Sequence, residues 1–213
     1  MMATLDDRVR TVGAPGSAIV LASGSVTRRR LLEGAGVPFS VEPARVDEDE
    51  FKIGLRAEGA KGVEIAEVLA EAKAMYVSRK RPGEMVLGAD QVLECDGVTY
   101  DKPVDRADAL RQLRELRGRK HVLISCAVIV RNGERIWHAV DRATLTMRTP
   151  SDNFLEAYLD AAGTDAFNGP GGYRVESVGA QLFSAISGSH YTILGLPLLQ
   201  LLDFLRVHRI LMA

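Results

Sequence analysis

The sequence has few cysteines and no long apolar run. Its two cysteines, Cys95 and Cys126, fit no metal-binding spacing, and this usage indicates a reducing compartment. The longest apolar stretch, residues 122–130, is interrupted by Ser125 and is far too short to span a bilayer. We therefore expect no membrane span.

The sequence also lacks an excess of charge of either sign. The 27 Lys and Arg residues are balanced by 28 Asp and Glu residues, which gives a net charge of −1. Because binding through bulk electrostatics needs a basic surplus, we expect no nucleic-acid partner. Residues 1–10 contain acidic side chains and no apolar core, so we expect no secretory signal. These features predict a soluble, cytoplasmic protein without a membrane partner.

Apolar periodicity and turn residues divide the chain into alternating strands and helices. Strands are predicted at residues 19–21, 37–41, 85–93, 98–100, 121–131 and 136–147. Helices are predicted just after Ser25 and at residues 62–81, 105–117, 152–161, 180–186 and 197–207. Loops are predicted at residues 43–50 (acidic), 164–175 (Gly-rich and functional) and 187–190.

This order of elements favours an α/β fold. We expect a single mixed, twisted sheet wrapped by helices, with two lobes around a central cleft. The 213 residues are enough for one such domain, over residues 18–213. Residues 1–17, which end in a Gly/Pro/Ser cluster, are predicted to be a flexible N-terminal extension.

The first strand and helix contain a candidate phosphate-binding segment, residues 21–32 (LASGSVTRRRLL). Small residues at a strand-to-helix junction let backbone N–H groups approach an anion, and the helix N-terminus adds a favourable dipole. Arg28, Arg29 and Arg30 follow, and at least one should point back toward the anion. The pattern is neither a P-loop nor a GxGxxG loop, and a Ser-capped helix with a solvated basic face also fits it.

Two charged residues interrupt apolar patterns. Asp90 lies within the apolar strand 85–93, where a carboxylate is costly to desolvate unless a cation or a donor meets it. Lys73 falls on the apolar stripe of helix 62–81, where it either extends to the edge of the core or lines a polar cleft. We predict that Asp90 is functional and leave both interpretations of Lys73 open.

Several separated motifs together resemble the Maf family of nucleotide pyrophosphatases, over nearly all of residues 19–205. LASGSVTRRRLL is similar to the family's LASxSPRRxxLL opening, VDED to its VDE loop, AEAKA to its helix lysine and GADQV to its GAD-T/Q-V signature. DKP, NGPGGYRVES and GSHYTILGLPL resemble its later motifs, in the same order. One departure is that Val26 and Thr27 replace the usual Pro-Arg, so only Arg28 keeps the phosphate-facing position.

The resemblance implies a Maf/ITPase-like fold and metal-dependent hydrolysis of a nucleoside triphosphate to the monophosphate and pyrophosphate. It makes Asp90 the general base for the attacking water. Asp90 and Glu48 are the implied ligands of a divalent ion, Mg²⁺ or Mn²⁺, since hard cations bind oxygen ligands. The implied phosphate-binding residues are Ser23, Arg28, Lys73 and Lys102.

Thr27, Gln91 and Glu176 occupy the positions that the resemblance links to base specificity. Gln and Glu at two of them resemble the 7-methyl-GTP branch rather than the dTTP/UTP branch. A carboxylate can accept both N1–H and the N2 amine of guanine, and it favours a cationic 7-methyl purine. Thr27 departs from that branch, which usually has a Trp able to stack on the base. We predict 7-methyl-GTP as the substrate, with a dTTP/UTP or broad pyrimidine pyrophosphatase as the alternative.

A hypothesis of another class is a cell-division regulator that acts by binding alone. A pure binding module has little reason to place Asp90 within an apolar strand among three cations, so the sequence speaks against it. The chain could form a homodimer through the hairpin at Asn132-Gly133 and the apolar C-terminal helix. Other polar side chains are assigned no chemical role: His121, His138, Asn168, Tyr173 and Tyr191.

Overall fold

The computed structural model describes residues 18–212, so the predicted extension, residues 1–17, lies outside the described residues. Within residues 18–212, seven strands form one sheet: β1 (Ile19–Leu21), β2 (Phe39–Val41), β3 (Met85–Cys95), β4 (Val98–Tyr100), β5 (Lys120–Arg131), β6 (Glu134–Met147) and β7 (Phe183–Ser187). The α-helices are α1 (Val26–Gly34), α2 (Glu48–Ala57), α3 (Gly62–Ser78), α4 (Arg106–Leu116), α5 (Asp152–Ala162), α6 (His190–Ile193) and α7 (Leu198–Val207).

The sheet is mixed, as predicted. Its strand order is β2-β1-β3-β5-β6-β7, and β4 also pairs with β3. The β1 strand is parallel to both β2 and β3, whereas all other pairs are antiparallel. The long β5–β6 hairpin turns at Asn132 and Gly133, which both have positive φ angles, as the Asn-Gly signal indicated.

The central strand, β3, has an incomplete edge. On the side away from β5, β1 pairs with its first three residues, Met85–Leu87, and β4 pairs with its last three, Leu93–Cys95. Among the described strands, none pairs with residues 88–92 on that side. The sheet therefore has a gap there, and Asp90 and Gln91 lie in it.

The α3 helix packs directly on the face of β3. This close approach depends on Gly88, because a Cβ built there would lie 2.0 Å from the Ala70 carbonyl oxygen. Strand alternation puts Asp90 on the same face of β3 as Gly88. Lys73, one helical turn from Ala70, can thus contact Asp90.

The buried core lies on both sides of the gap. Two apolar clusters surround β1 and the adjoining part of β3, packed by α1, α3 and α7. A third cluster surrounds the β4 end of β3 and contains apolar residues of α4 and α5. This division agrees with the prediction of two lobes around a cleft.

The helix predicted at residues 180–186 was wrong. Val178–Leu182 is a 3-10 helix, and Phe183–Ser187 forms the edge strand β7, in which Ala185 pairs with Thr146 of β6. An isolated helix this short is barely stable, whereas the free edge of β6 offers backbone partners.

The loop predictions were only partly correct. The acidic segment 43–50 contains the start of α2, because Asp47 caps the helix by accepting from the Glu50 N–H at 3.1 Å and three acidic residues favour its first turn. His190, placed in a loop, begins α6. The Gly-rich segment contains 3-10 turns, Gly163–Phe167 and Pro170–Gly172.

No helix in residues 18–212 is long and apolar enough to cross a membrane.

Candidate active site

A cavity of about 470 Å³ opens at the gap beside β3. It receives residues from the segment after β1, from α1, α2, α3 and β3, and from the segment after β4, together with the Gly-rich segment and the segment at the end of α6. All nine side chains that the sequence pointed to line it: Ser23, Thr27, Arg28, Glu48, Lys73, Asp90, Gln91, Lys102 and Glu176. The structure thus brings together residues that are separated by up to about 150 positions.

Lys73 joins two carboxylates in this cavity. Its Nζ lies 2.6 Å from Asp90 Oδ1 and 2.8 Å from Glu48 Oε1. Lys73 and Asp90 are both buried, with 8% and 6% of their surface exposed, whereas Glu48 is half-buried. Of the two interpretations of Lys73, the structure confirms the one in which it lines a polar cleft. The other Asp90 oxygen, Oδ2, accepts no hydrogen bond from any described residue.

Arg28 is the one arginine of its run that turns into the cavity. Its Nη1 donates to Ser23 Oγ at 3.1 Å and its Nε to the Gly195 carbonyl at 2.8 Å, whereas Arg29 and Arg30 are exposed. Burial lowers the pKa of Arg28, although the nearby Asp90 and Glu48 act in the opposite direction. Because its two hydrogen bonds fix the guanidinium, and arginine stays protonated in proteins, Arg28 is a fixed cation.

Ser25 has the role of a helix cap. Its Oγ accepts from the Arg28 backbone N–H at 3.3 Å, at the start of α1. The predicted Ser cap is therefore confirmed, whereas the solvated basic face holds for Arg29 and Arg30 but not for the buried Arg28. The N-terminal residues of α1 line the cavity.

Two further charged groups have pKa values shifted by this environment. Partial desolvation within the cleft lowers the pKa of Lys102, and the positive charges of Arg28 and Lys73 add to the shift. Burial alone would raise the pKa of Glu48, but the charge and hydrogen bond of Lys73, together with the charges of Lys52 and Lys102, lower it. Glu48 is thus held as a carboxylate.

A second ionic cluster lines the cavity and was not predicted from the sequence. Asp101, beside Lys102, contacts Lys52 Nζ at 2.9 Å and Arg56 Nη1 at 2.8 Å. Burial alone would raise the pKa of Asp101, but its bonds to Arg56 and Lys52 lower it. Glu48, Lys52 and Arg56 are spaced four residues apart and share one face of α2, so the signal depended on predicting that helix.

Two of the three residues predicted to read the base, Gln91 and Glu176, are already paired with protein groups. Gln91 donates its side-chain amide to the Thr192 and Ile193 carbonyls, at 2.9 and 3.0 Å. Glu176 Oε1 accepts from Arg174 Nε at 2.9 Å and Nη2 at 2.5 Å. Arg174 also lines the cavity and was missed by the sequence analysis.

Of the five polar side chains to which the sequence assigned no chemical role, two line the cavity and three do not. Asn168 and Tyr173 line the cavity, but His121, His138 and Tyr191 do not. His121 Nε2 lies 2.7 Å from the Tyr173 hydroxyl, and burial lowers the pKa of His121 to about 4. His121 is therefore neutral and supports the wall of the cavity.

A family model described as Maf-like protein matches residues 18–208. The chain belongs to the Maf family. A protein of Paramagnetospirillum magneticum named nucleoside triphosphate pyrophosphatase is 51% identical to this Maf chain over 187 residues, 88% of this chain and 96% of that relative. Proteins of the same name from Ruegeria sp. and Rhodopseudomonas palustris are each 48% identical, over 88% and 91% of this chain and 94% and 95% of their own lengths.

The Lys73–Asp90 ion pair of this Maf chain should contribute to its stability. Replacing Lys73 by Met leaves the buried Asp90 carboxylate unpaired, so the free energy of unfolding should fall by about 3–5 kcal/mol. The double variant Lys73→Met/Asp90→Asn should recover part of this loss, as measured by urea denaturation at pH 7.

Lys120→Met is the matched control, because Lys120 is exposed at the start of β5 and should change stability by less than about 0.5 kcal/mol. Equal stability of the Lys73→Met and Lys120→Met variants would show that Lys73 does not neutralise Asp90.

Proposed function

We propose that the chain hydrolyses the α–β phosphoanhydride of a nucleoside triphosphate and releases a nucleoside monophosphate and pyrophosphate. The observation that carries this proposal is the Asp90 carboxylate, buried in a central strand and facing a cavity rich in cations. The name shared by the relatives at 46–51% identity gives independent support for the same reaction class.

The charge of the cavity suits a triphosphate. Six basic side chains line the cavity: Arg28, Lys52, Arg56, Lys73, Lys102 and Arg174. The cavity has four carboxylates: Glu48, Asp90, Asp101 and Glu176. A triphosphate carries several negative charges, so a surplus of positive side chains favours its binding through charge-assisted hydrogen bonds. Phosphoryl chemistry needs positioning and charge neutralisation more than covalent participation of the protein.

A divalent cation, Mg²⁺ or Mn²⁺, belongs to this proposal. Within residues 18–212, no group of three or more His, Cys, Asp or Glu side chains could hold a metal alone. Mg²⁺ is commonly bound by one or two carboxylates together with substrate phosphates, and Glu48 and Asp90 already converge on one ammonium group. These two side chains would hold the ion, which would neutralise phosphate charge and make the attacking water more acidic.

Asp90 acts as the general base in this mechanism. Asp90 Oδ1 is bonded to Lys73, which fixes the carboxylate, while Oδ2 is available to take a proton from water. The water oxygen attacks the α-phosphorus, the bond from that phosphorus to the bridging oxygen breaks, and pyrophosphate leaves with the electron pair. Lys102 and Arg28 are placed to stabilise the charge that develops on the leaving group.

The first test removes the base. Asp90→Asn should lower pyrophosphate release by about 10²–10⁴-fold, because the amide cannot accept the proton. The measurement is pyrophosphate release with Mg²⁺ or Mn²⁺ across a panel of nucleoside triphosphates, with folding checked by circular dichroism.

Asp203→Asn is the control for this test, since Asp203 is an α7 carboxylate that pairs with Arg206 and is not among the residues lining the cavity. Equal turnover by the wild type and Asp90→Asn would remove Asp90 as the base. No turnover by the wild type with any nucleotide would favour a cell-division regulator that acts by binding.

For the substrate, we propose a guanine nucleotide, with 7-methyl-GTP preferred. Gln91 Oε1 and the Glu176 carboxylate are hydrogen-bond acceptors, and guanine offers N1–H and the N2 amine as donors. A carboxylate also favours the positive charge of the 7-methyl purine.

A pyrimidine nucleotide such as dTTP or UTP is the second candidate. Arg174 donates twice to one oxygen of Glu176, which neutralises part of its charge and places donors beside it. A thymine or uracil edge has two carbonyl acceptors that such donors would suit. Thr27, where a stacking Trp would favour a methylated purine, is consistent with this alternative.

The second test concerns the base. Glu176→Gln should lower the ratio of kcat/KM for 7-methyl-GTP to that for dTTP by about tenfold or more, because a bidentate acceptor is lost. Glu156→Gln is the matched control, since Glu156 also pairs with an arginine, Arg106, but is not among the residues lining the cavity. An unchanged ratio in Glu176→Gln would place base selection elsewhere, and a wild-type preference for dTTP would favour the pyrimidine alternative.

A further inference from the structure

Gln91 is held by a cluster of polar groups that the reaction does not explain. Its side-chain nitrogen, Nε2, shares two hydrogens among three acceptors: the Thr192 carbonyl at 2.9 Å, the Ile193 carbonyl at 3.0 Å and Ser125 Oγ at 3.2 Å. Ser125 Oγ in turn donates to the Thr192 carbonyl at 2.8 Å. Ser125 and Thr192 are completely buried.

The chemistry of these neighbours fixes the orientation of the Gln91 amide. Backbone carbonyls only accept hydrogen bonds, and the Ser125 hydroxyl uses its proton on the Thr192 carbonyl. The side of Gln91 that faces them must therefore be its NH₂ group, and the reversed amide would place an oxygen against two carbonyl oxygens.

The opposite end of the amide faces the nucleotide cavity. Gln91 Oε1 accepts no hydrogen bond from any described residue. A Cβ atom built on Gly195 would lie 3.7 Å from Gln91 Oε1 and 3.6 Å from Arg28 Nε and Nη2. Oε1 is thus an acceptor beside the phosphate-binding arginine.

The supporting residues form one row across the sheet. Gln91 on β3 is in register with Ser125 on β5, and Ser125 is in register with Asp141 on β6. Thr192 lies over this row, and its hydroxyl donates to Asp141 Oδ2 at 2.5 Å. The end of α6 is therefore tied to three strands, and three residues beyond Thr192 the Gly195 carbonyl accepts a hydrogen bond from Arg28.

We propose that Ser125, Thr192 and Asp141 are positioning residues that present Gln91 to the cavity as a hydrogen-bond acceptor only. The cavity then selects nucleotides whose base has a hydrogen-bond donor opposite Gln91 Oε1. The nucleotide selectivity rests on the proposed pyrophosphatase function. The hydrogen-bonded group of Gln91, Ser125, Thr192 and Asp141, here called the Gln91 clamp, is a property of the protein without a nucleotide. The buried hydrogen bonds orient Gln91 before the substrate enters, so selection needs no rearrangement of its amide.

The first arm of the experiment examines the clamp without turnover. In an ¹⁵N-labelled full chain, the Gln91 side-chain NH₂ signal is identified by its loss in Gln91→Met, and its hydrogen exchange is compared with the signals of the exposed Gln181 and Gln200. The Gln91 signal should exchange at least about tenfold more slowly, and Ser125→Ala or Thr192→Val should remove much of this protection. A Gln91 signal that exchanges as fast as the exposed pair would overturn the clamp.

The second arm measures selectivity. Ser125→Ala and Thr192→Val should each reduce the ratio of kcat/KM for 7-methyl-GTP to that for dTTP by about two- to tenfold, the effect of one net hydrogen bond. Thr192→Ser keeps the hydroxyl bond to Asp141 and should restore the ratio. Ser184→Ala is the matched control, because Ser184 also donates to a backbone carbonyl, that of Thr146, but is not among the residues lining the cavity.

The two arms distinguish a failure of the Gln91 clamp from a failure of the proposed pyrophosphatase function. Equal loss of activity on all nucleotides in Ser125→Ala, with an unchanged ratio, would reduce the clamp to a structural role and overturn the proposal. If the wild type hydrolyses none of the nucleotides, the proposed function fails, and the exchange arm still decides whether Gln91 is held as described.

Discussion

The pairing of the Asp90 carboxylate with the Lys73 ammonium is the interaction on which the rest of the site depends. A charged carboxylate in a central strand is costly to bury, and a partner cation with good geometry offsets much of that cost. The 2.6 Å contact with Lys73 provides this partner. Because the same ammonium also contacts Glu48, one lysine holds both carboxylates that would bind a divalent ion. Stability and chemistry thus depend on the same three side chains.

The fold provides the space that this interaction needs. A continuous partner strand beside β3 would cover residues 88–92, whereas β1 and β4 pair only with the two ends of the strand and leave its middle open. Gly88 allows α3 to lie against the sheet, which brings Lys73 within reach of Asp90. The cations then come from separate elements that meet at the gap. This arrangement concentrates positive charge in one cavity while the net charge of the whole chain is only −1.

Local sequence patterns predicted much of this architecture but not all of it. An aspartate within an apolar strand and a lysine on an apolar helix face each conflict with their surroundings, and both residues line the cavity. The α2 helix was not predicted because its capped, acidic first turn was interpreted as part of a loop, and Lys52 and Arg56 were missed with it. The β7 strand exists only through its pairing with β6. The Gln91 clamp joins residues about 100 positions apart, a contact that no local pattern can reveal.

In the proposed reaction, water attacks the α-phosphorus beside Asp90, and isotope labelling shows which phosphorus is attacked. Hydrolysis of the preferred nucleoside triphosphate would be run in ¹⁸O-enriched water, and the products would be separated and examined by mass spectrometry. We expect the label in the nucleoside monophosphate and not in the pyrophosphate. Label in the pyrophosphate would mean attack at the β-phosphorus and would contradict the placement of Asp90 as the base.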